Sequence, residues 1–568
     1  MGDAALLVVA AVLVIVLVSS LAPRIGVASP VLMVLVGVGC SYIPGMPVIE
    51  IEPEWFLMIV LPPLLYSAAV AMPTMDFRRD FRTIGALSVG LVVVSALVSG
   101  LVIYWILPDI GLPTALALGA VISPPDAVAA TSVGKRLGLP NRLVTILEGE
   151  GLVNDATALV LLRTALGATA GISVLGVAGD FLYAVAVGIA IGAVMGLASV
   201  WLRAKVDQPV LTTSISFVVP FASYIPAEEL HASGVLAVVV AGLITGAKGA
   251  KRFTPHDRMT DRTNWRTIQH LLESGVFLLM GYQLHVLLDD VIDADLDVWH
   301  AIGLGLLATV VLIVVRVVFV VPVIASLKRS QRKGRERVHH LEDAMQRLEE
   351  RDFGDDRRKG NAERFLRRRH ADATFYANEG LGWRGGAVIA WSGMRGAVTL
   401  AAAQSLPHDV PNRSALMLVA FTVAIITLVG QGATLPWLIG ALGVRGTSRE
   451  EEARELGILL QELRESASDV LDSATLHQHD GTPFDPEVIA TVRAIALAQI
   501  GDEEERDWEA APRRFREGLE LQRLIVDAEQ AALLDARASG TYRSSTINRA
   551  QHLLDINAAR FDGQLGAH

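Results

Sequence analysis

One cysteine, Cys40, occurs in 568 residues. A lone cysteine excludes an intrachain disulfide framework and a cysteine-ligated metal cluster. Helix packing is the role expected of it. The first apolar run, Ala4 to Ala22, has no basic stretch before it and no clear small-residue cleavage site. It reads as a retained helix, not a signal peptide. The last ~125 residues hold no glycine-rich phosphate loop and no metal-ligand spacing. No G-x-G-D stretch occurs anywhere in the chain, which argues against an intramembrane aspartyl protease.

What the chain has in excess is apolar sequence, arranged in blocks. Hydrophobic residues make up 52% and the mean hydropathy is +0.45, high for a soluble protein. From Ala4 to about Leu442 apolar runs alternate with short polar connections, most runs being near the ~20 residues that cross a bilayer. This predicts an all-α polytopic membrane protein with about thirteen spans: 4–22, 26–45, 55–72, 84–107, 113–133, 142–168, 181–202, 209–226, 231–247, 267–288, 299–326, 385–406 and 414–442. The net charge of −10 pools regions of different character and identifies no partner. Nothing in the pattern points to nucleic acid.

Loop charge gives an orientation. One set of loops carries Arg24; Arg78, Arg79 and Arg82; Lys135, Arg136 and Arg142; Arg203 and Lys205; Lys248, Lys251, Arg252 and Arg258. The alternate set carries Glu50, Glu52 and Glu54; Asp109; Asp180; Glu228 and Glu229; Asp289, Asp290, Asp293 and Asp295. The alternation holds up to the eleventh span and puts the N-terminus outside and the C-terminus in the cytoplasm. The predicted domains are a membrane domain, 1–445, with a charged cytoplasmic loop at 327–384, and a helical cytoplasmic domain, 446–568. Residues 331–370 read as a solvated helix, with contact to anionic lipid as the sharper alternative. Amphipathic segments such as REEEARELGILLQELRES and INRAQHLLDINAARF fill the tail.

Four buried polar features stand out. Charge inside a membrane costs at least a few kcal/mol per group and marks function or a partner. In ISPPDAVAAT, residues 122–131, two prolines break the span. Its freed carbonyls can bind a cation, and Asp126 can balance the exposed helix N-terminus. In LEGEGLVNDATALVLL, residues 147–162, Glu150 and Asn154 share a face, while Asp155 lies about 140° from Glu150 on an ideal helix. Glu148 and Asp155, seven apart, are nearly eclipsed, so Glu148 can line a cytoplasmic approach. Arg316 lies too deep in its apolar span to reach a surface and needs a carboxylate, with Glu150 at comparable depth. In GGAVIAWSGMRGAVTLAAA, residues 385–403, glycines around Arg395 permit a second break, with Arg395 on its exposed carbonyls. His270 and Glu273 are lesser candidates near a helix end.

At these residues the chain resembles the sodium/proton exchangers of the monovalent cation/proton antiporter family 1, over roughly 1–442. PPLLYSAA at 62–69, Asp126 in DAVAA, GEGLVNDA at 149–156, ESGVFLLMG at 273–281 and SGMRGAV at 392–398 resemble the family's motifs in order. The resemblance implies two inverted repeats with crossed, interrupted helices, and a core moving against a dimerisation domain in a homodimer. It implies that Asp155, preceded by Asn154, binds Na+ and H+. It makes Glu150–Arg316 a structural ion pair, and Asp126 and Arg395 compensators of the broken ends. The Asn-Asp pair is the pattern of electroneutral exchangers. Three positions depart from the pattern. Gly151 replaces a serine that gives its hydroxyl to the ion. Ser67 stands where many relatives carry an acid, removing one possible partner of Arg395. Pro124 and Pro125 precede Asp126, whereas the family's proline follows it.

The expected function is monovalent cation/proton antiport in the plasma membrane, serving pH homeostasis, with no cofactor. Na+ is the expected cation, with K+ or Li+ as alternatives and tail-regulated activity as a variant. Asp155 would hold a proton or a cation in turn. A channel is the first rival, opposed by scattered acids where a filter would repeat. A sensor whose output is the tail is another.

Overall fold

The computed structural model describes residues 2–25, 27–44, 53–167, 174–206, 208–294, 296–350, 356–407, 410–473, 476–478, 480–497 and 512–565. Glu50, Glu52 and Asp295 of the acidic loops lie outside them. Among the described residues the structure is helical, apart from one isolated bridge between His477 and Pro483.

The chain groups into two compact units. The first comprises Met1–Arg252, Asp261–Ser330 and Glu379–Gly446; the second comprises Phe253–Thr260, Gln331–Asn378 and Thr447–His568. The first unit contains α1 (Gly2–Ile25), α2 (Ser29–Ser41) and α3 (Phe56–Ala71), followed by α4 (Thr74–Ile106). Next come α5 (Leu112–Ile122), α6 (Ala127–Arg136), α7 (Asn141–Gly167), α8 (Val174–Arg203), α9 (Pro209–Glu229) and α10 (Gly234–Arg252). Two helices, α11 (Pro255–Asp293) and α12 (Val298–Glu349), run through both units, and α13 (Asp356–Asn378) follows in the second. The first unit closes with α14 (Trp383–Trp391), α15 (Ala397–Gln404) and α16 (Arg413–Leu442).

Nine helices among the described residues are long and apolar enough to cross a membrane, and α2 and α3 are shorter apolar helices. Their exposed side chains include Val310, Val314, Val318 and Val321 of α12, an apolar stripe suited to acyl chains. Besides the short helices α2 and α3, two further predicted spans fail that test for instructive reasons. The predicted span 142–168 falls on a continuous helix, α7 (Asn141–Gly167), that is too charged, and 385–406 holds two short helices with a gap at Ser392–Gly396.

Two helices extend beyond their predicted membrane spans. α12 does not stop at the expected membrane edge near Ser326. Residues 327–349 are rich in Arg, Lys, Glu and Leu, good helix formers, with no proline among them, so the helix continues to Glu349. α11 starts at Pro255, twelve residues before the expected 267, because Thr254 and Asp257 form a reciprocal cap. The Asp257 N–H donates to Thr254 Oγ1 at 3.1 Å and the Thr254 N–H donates to Asp257 Oδ2 at 3.3 Å.

Within the first unit two helix groups pack mainly among themselves. α3, α8, α9 and α10 form one, and α1, α2 and α11 join it. Trp265 of α11 donates to Ser216 of α9 at 2.9 Å and makes a tilted ring contact with Tyr66 of α3. Gly37 and Gly281 bring the backbones of α2 and α11 into direct contact, since a Cβ on either would overlap the other's main chain. The second group holds α4 to α7, α12 and α14 to α16.

The second unit contains α17 (Arg449–Leu471), α18 (Pro486–Leu497), α19 (Pro512–Ser539) and α20 (Ser544–Leu565). Their apolar faces close two small cores, one around Leu459, Leu463, Leu533 and Ile547, the other around Leu471, Phe484, Val492 and Leu521. Arg258, in the first turn of α11, donates two hydrogen bonds to Asp555 of α20 from Nε, each at 3.2 Å, and a third from its Nη2.

Candidate functional site

The site is built where two chain breaks cross. α5 ends at Ile122 and α6 begins after Asp126, with Pro124 and Pro125 between them. α14 ends at Trp391 and α15 begins after Gly396. Each break leaves N–H groups at one helix start and carbonyls at another helix end without intrahelical partners. Asp126 serves the starts. Its Oδ1 accepts from Val128 N–H at 2.7 Å, capping α6, and its carboxylate lies against Gly396 at the start of α15. Its own N–H donates to the Met394 carbonyl at 2.6 Å, tying one break to the other.

Arg395 serves the ends. Its Nε donates to the Ile122 carbonyl at 3.0 Å and Nη2 to Ser123 at 3.4 Å, both at the end of α5, while Nη1 donates to Gly393 at the end of α14. Its backbone N–H donates to Thr427 Oγ1 at 2.9 Å, in a π-helical turn of α16. The Arg395 side chain is thus engaged by carbonyls, and the acid absent at Ser67 leaves no gap in its bonding. Side chains already engage the carbonyls freed at the first break. Arg395 takes those of Ile122 and Ser123, and Asn154 Nδ2 donates to that of Pro125.

Glu150 and Arg316 form a two-pronged ion pair, Nη1 to Oε1 at 2.6 Å and Nη2 to Oε2 at 2.9 Å, with both side chains 2% exposed. Arg316 Nε also donates to the Ile389 carbonyl at 3.0 Å, so this pair joins α7, α12 and α14. Fork-to-fork geometry fixes orientation as well as charge. Ser88 donates to the Glu150 backbone carbonyl at 3.1 Å.

Asp155 is placed differently. Neighbouring Asn154 is fully buried, whereas Asp155 is only half-buried. Its carboxylate makes no hydrogen bond or ion pair to a described residue. Glu148 shares its stripe of α7 and pairs with Lys135 at 2.5 Å, in the last turn of α6. Gly151, between them on the stripe, packs on α6: a Cβ there would come within 2.9 Å of the Ala127 Cβ. A serine at 151 would therefore need α6 to shift. Glu273 accepts from Gln269 Nε2 at 2.7 Å, and Ser19 and His270 are within hydrogen-bond reach at 3.1 Å. Neither Glu273 nor His270 bonds to Asp155. The residues not foreseen are Lys135, Thr427, Ser88 and the Asp80–Arg142 pair, buried with contacts of 2.6 and 2.8 Å. Only the basic type of Lys135 and Arg142 left any trace in the sequence. Among the described residues no three His, Cys, Asp or Glu side chains cluster as a metal site.

A family model described as "Sodium/hydrogen exchanger, transmembrane" matches residues 8–440. The chain is 27% identical over 542 residues to the uncharacterized Na(+)/H(+) exchanger YjcE of Escherichia coli, covering 89% of each chain. It is 27% identical to the Na(+)/H(+) antiporter ApNhaP of Aphanothece halophytica, over 73% of this chain and 70% of that one. Among solved structures it resembles the sodium proton antiporter MjNhaP1 of Methanocaldococcus jannaschii at pH 8. The TM-score is 0.54 at 16% identity, over 78% of this chain and 99% of that one.

Proposed function

The chain belongs to the transmembrane sodium/hydrogen exchanger family, and on that footing we propose that Asp155 is the carboxylate that a proton and Na+ occupy in turn. The activity is cation/proton antiport by a multi-pass membrane protein; it is a transporter, not an enzyme.

The observation that carries the Asp155 assignment is a charge balance. Glu150 is cancelled by Arg316, Asp126 serves the helix starts and Arg395 the helix ends, which leaves Asp155 as the carboxylate of this cluster without a protein partner. One proton or one monovalent cation neutralises it, so exchange is one for one and electroneutral. A neutralised carboxylate crosses hydrocarbon far more readily than a bare one. Asn154 holds the Pro125 carbonyl and thereby fixes the break beside Asp155. Glu150 and Arg316 are structural, and Asp126 and Arg395 neutralise the broken ends. Glu148 and Glu273 line the approach from the basic-loop face.

We place that face in the cytoplasm and the chain in the plasma membrane, with thirteen crossings in two inverted repeats, working as a homodimer in which the α4–α7, α12 and α14–α16 group moves against the rest. K+ and Li+ are further candidate cargo. The name of a Bacillus pumilus relative, 26% identical, spans sodium, potassium, lithium and rubidium. The test is cation-driven proton flux in proteoliposomes for the native chain and Asp155→Asn across the alkali cations. Asp155→Asn is expected to fold and to lose exchange with every cation. Retained exchange in a folded Asp155→Asn protein sinks the assignment.

A further inference from the structure

Accessibility along three helices falls off with distance from the basic-loop end. On α7 the stripe Glu148, Gly151, Asp155 is partly accessible, but its continuation, Ala158, Leu159 and Leu162, is buried. On α6 the stripe Val128, Ser132, Lys135 opens progressively towards the basic-loop end. On α11 Arg266, Gln269, His270 and Glu273 are accessible or half-buried, whereas Val276, Phe277, Met280 and Gln283 are buried. Polar side chains mark the accessible part of all three stripes, which suits water rather than lipid.

Beyond the accessible part, towards the acidic loops, the two helix groups meet in a dry contact. Phe56 of α3, Val276 of α11 and Ala401 of α15 form an apolar cluster of their own, flanked by Leu57 and Val60 in a π-helical turn. Further out along α11 and α15, Gln404 Nε2 donates to Gln283 Oε1 at 2.8 Å. This bond joins α15, the second half of a broken helix, to α11 of the other group. An amide pair in a mostly dry seam is directional, holds one register and is undone by a small displacement.

We propose that the structure captures Asp155 open to the basic-loop face, and that Gln283 and Gln404, above the Phe56–Val276–Ala401 plug, form the gate that shuts the acidic-loop face. The proposal rests on the antiport role of Asp155 given above. Each cycle must part the amide pair and the plug, because they connect the group carrying Asp155 to its counterpart. Gln283 and Gln404 are positioning residues: they set how long the site faces each side.

The test uses the full chain in a Cys40→Ser background with Gln283→Cys and Gln404→Cys, joined by a short bifunctional thiosulfonate matched to two glutamine side chains. Linking is expected to cut exchange at least tenfold and reduction to restore it, neither single-cysteine variant showing the effect. In the linked protein, a cysteine introduced by Ser132→Cys should still react with an impermeant maleimide from the basic-loop face. Gln404→Ala, which removes the bond without a tether, should weaken the apparent affinity for cations offered on that face by about fivefold, the worth of one ordinary hydrogen bond. If the linked protein exchanges at full rate while Asp155→Asn is inactive in the same vesicles, the gate is misplaced and the site stands. If Asp155→Asn also exchanges, the antiport role of Asp155 is what fails. Labelling at 132 only from the acidic-loop face overturns the open side.

Discussion

Asp126 and Gly396 touch across the two chain breaks, and the carboxylate fills the space that a Cβ at 396 would need. The contact lets one acid face the starts of both α6 and α15.

Gly396→Ala should therefore do more than add a methyl. Overpacking costs about 1–3 kcal/mol, and the Asp126 carboxylate must also give way beside a helix start. The expected result is a lower melting temperature and exchange reduced at least tenfold. Thermal unfolding in detergent and proteoliposome flux measure both.

Breaking the Glu150–Arg316 pair from one side strands a buried charge, which costs about 3–5 kcal/mol. Glu150→Ala and Arg316→Ala should each fold poorly. Combining Glu150→Gln with Arg316→Met removes both charges and should recover much of the lost stability. Normal thermal stability of both single variants would show that the pair holds nothing together.

Arg258 and Asp555 fix α20 to the first turn of α11. Asp555→Asn should cost about 2 kcal/mol, in the range for hydrogen bonds to charged groups. Hydrogen exchange of residues 544–565 in the intact protein should speed up, with α7 unaffected. Unchanged protection at 544–565 would argue against the anchor.

The second unit should lose stability as pH rises. Burial holds the Glu529 carboxyl at about 7, against an ordinary 4.5, with Arg464 partly opposing the shift. A raised acid favours its protonated form when folded, so this contribution is fully present below 4.5 and is lost as pH climbs through 7. Glu529→Gln should flatten the slope over that window. Denaturant unfolding of the second unit at several pH values, followed by hydrogen exchange, tests it.

Much of the architecture is written in local pattern. Two prolines at 124–125 lie in the first gap, and glycines 393 and 396 bracket Arg395 in the second. Depth alone suggested that Arg316 would need an acid. Contacts between a side chain and a distant carbonyl leave no such signature. Nothing near Asn154 announces Pro125, and nothing near Arg395 announces Ile122. The π-helical turns at Phe56–Val60, Ala86–Leu91 and Thr427–Gln431 are equally silent, since one extra residue per turn shifts a face without changing composition. The true lengths of α11 and α12 escaped hydropathy because charged residues prolong a helix as well as apolar ones.

The paired glycines Gly37 and Gly281 carry a mechanical consequence. With main chain against main chain at this crossing, α2 and α11 have no side-chain ridges there to ratchet past one another, and sliding would drive larger residues into the contact. The two helices are in effect spliced into one beam. Any shear plane in this protein must run along another boundary, and bulky residues at 37 or 281 should pry the beam apart before they disturb the ion path.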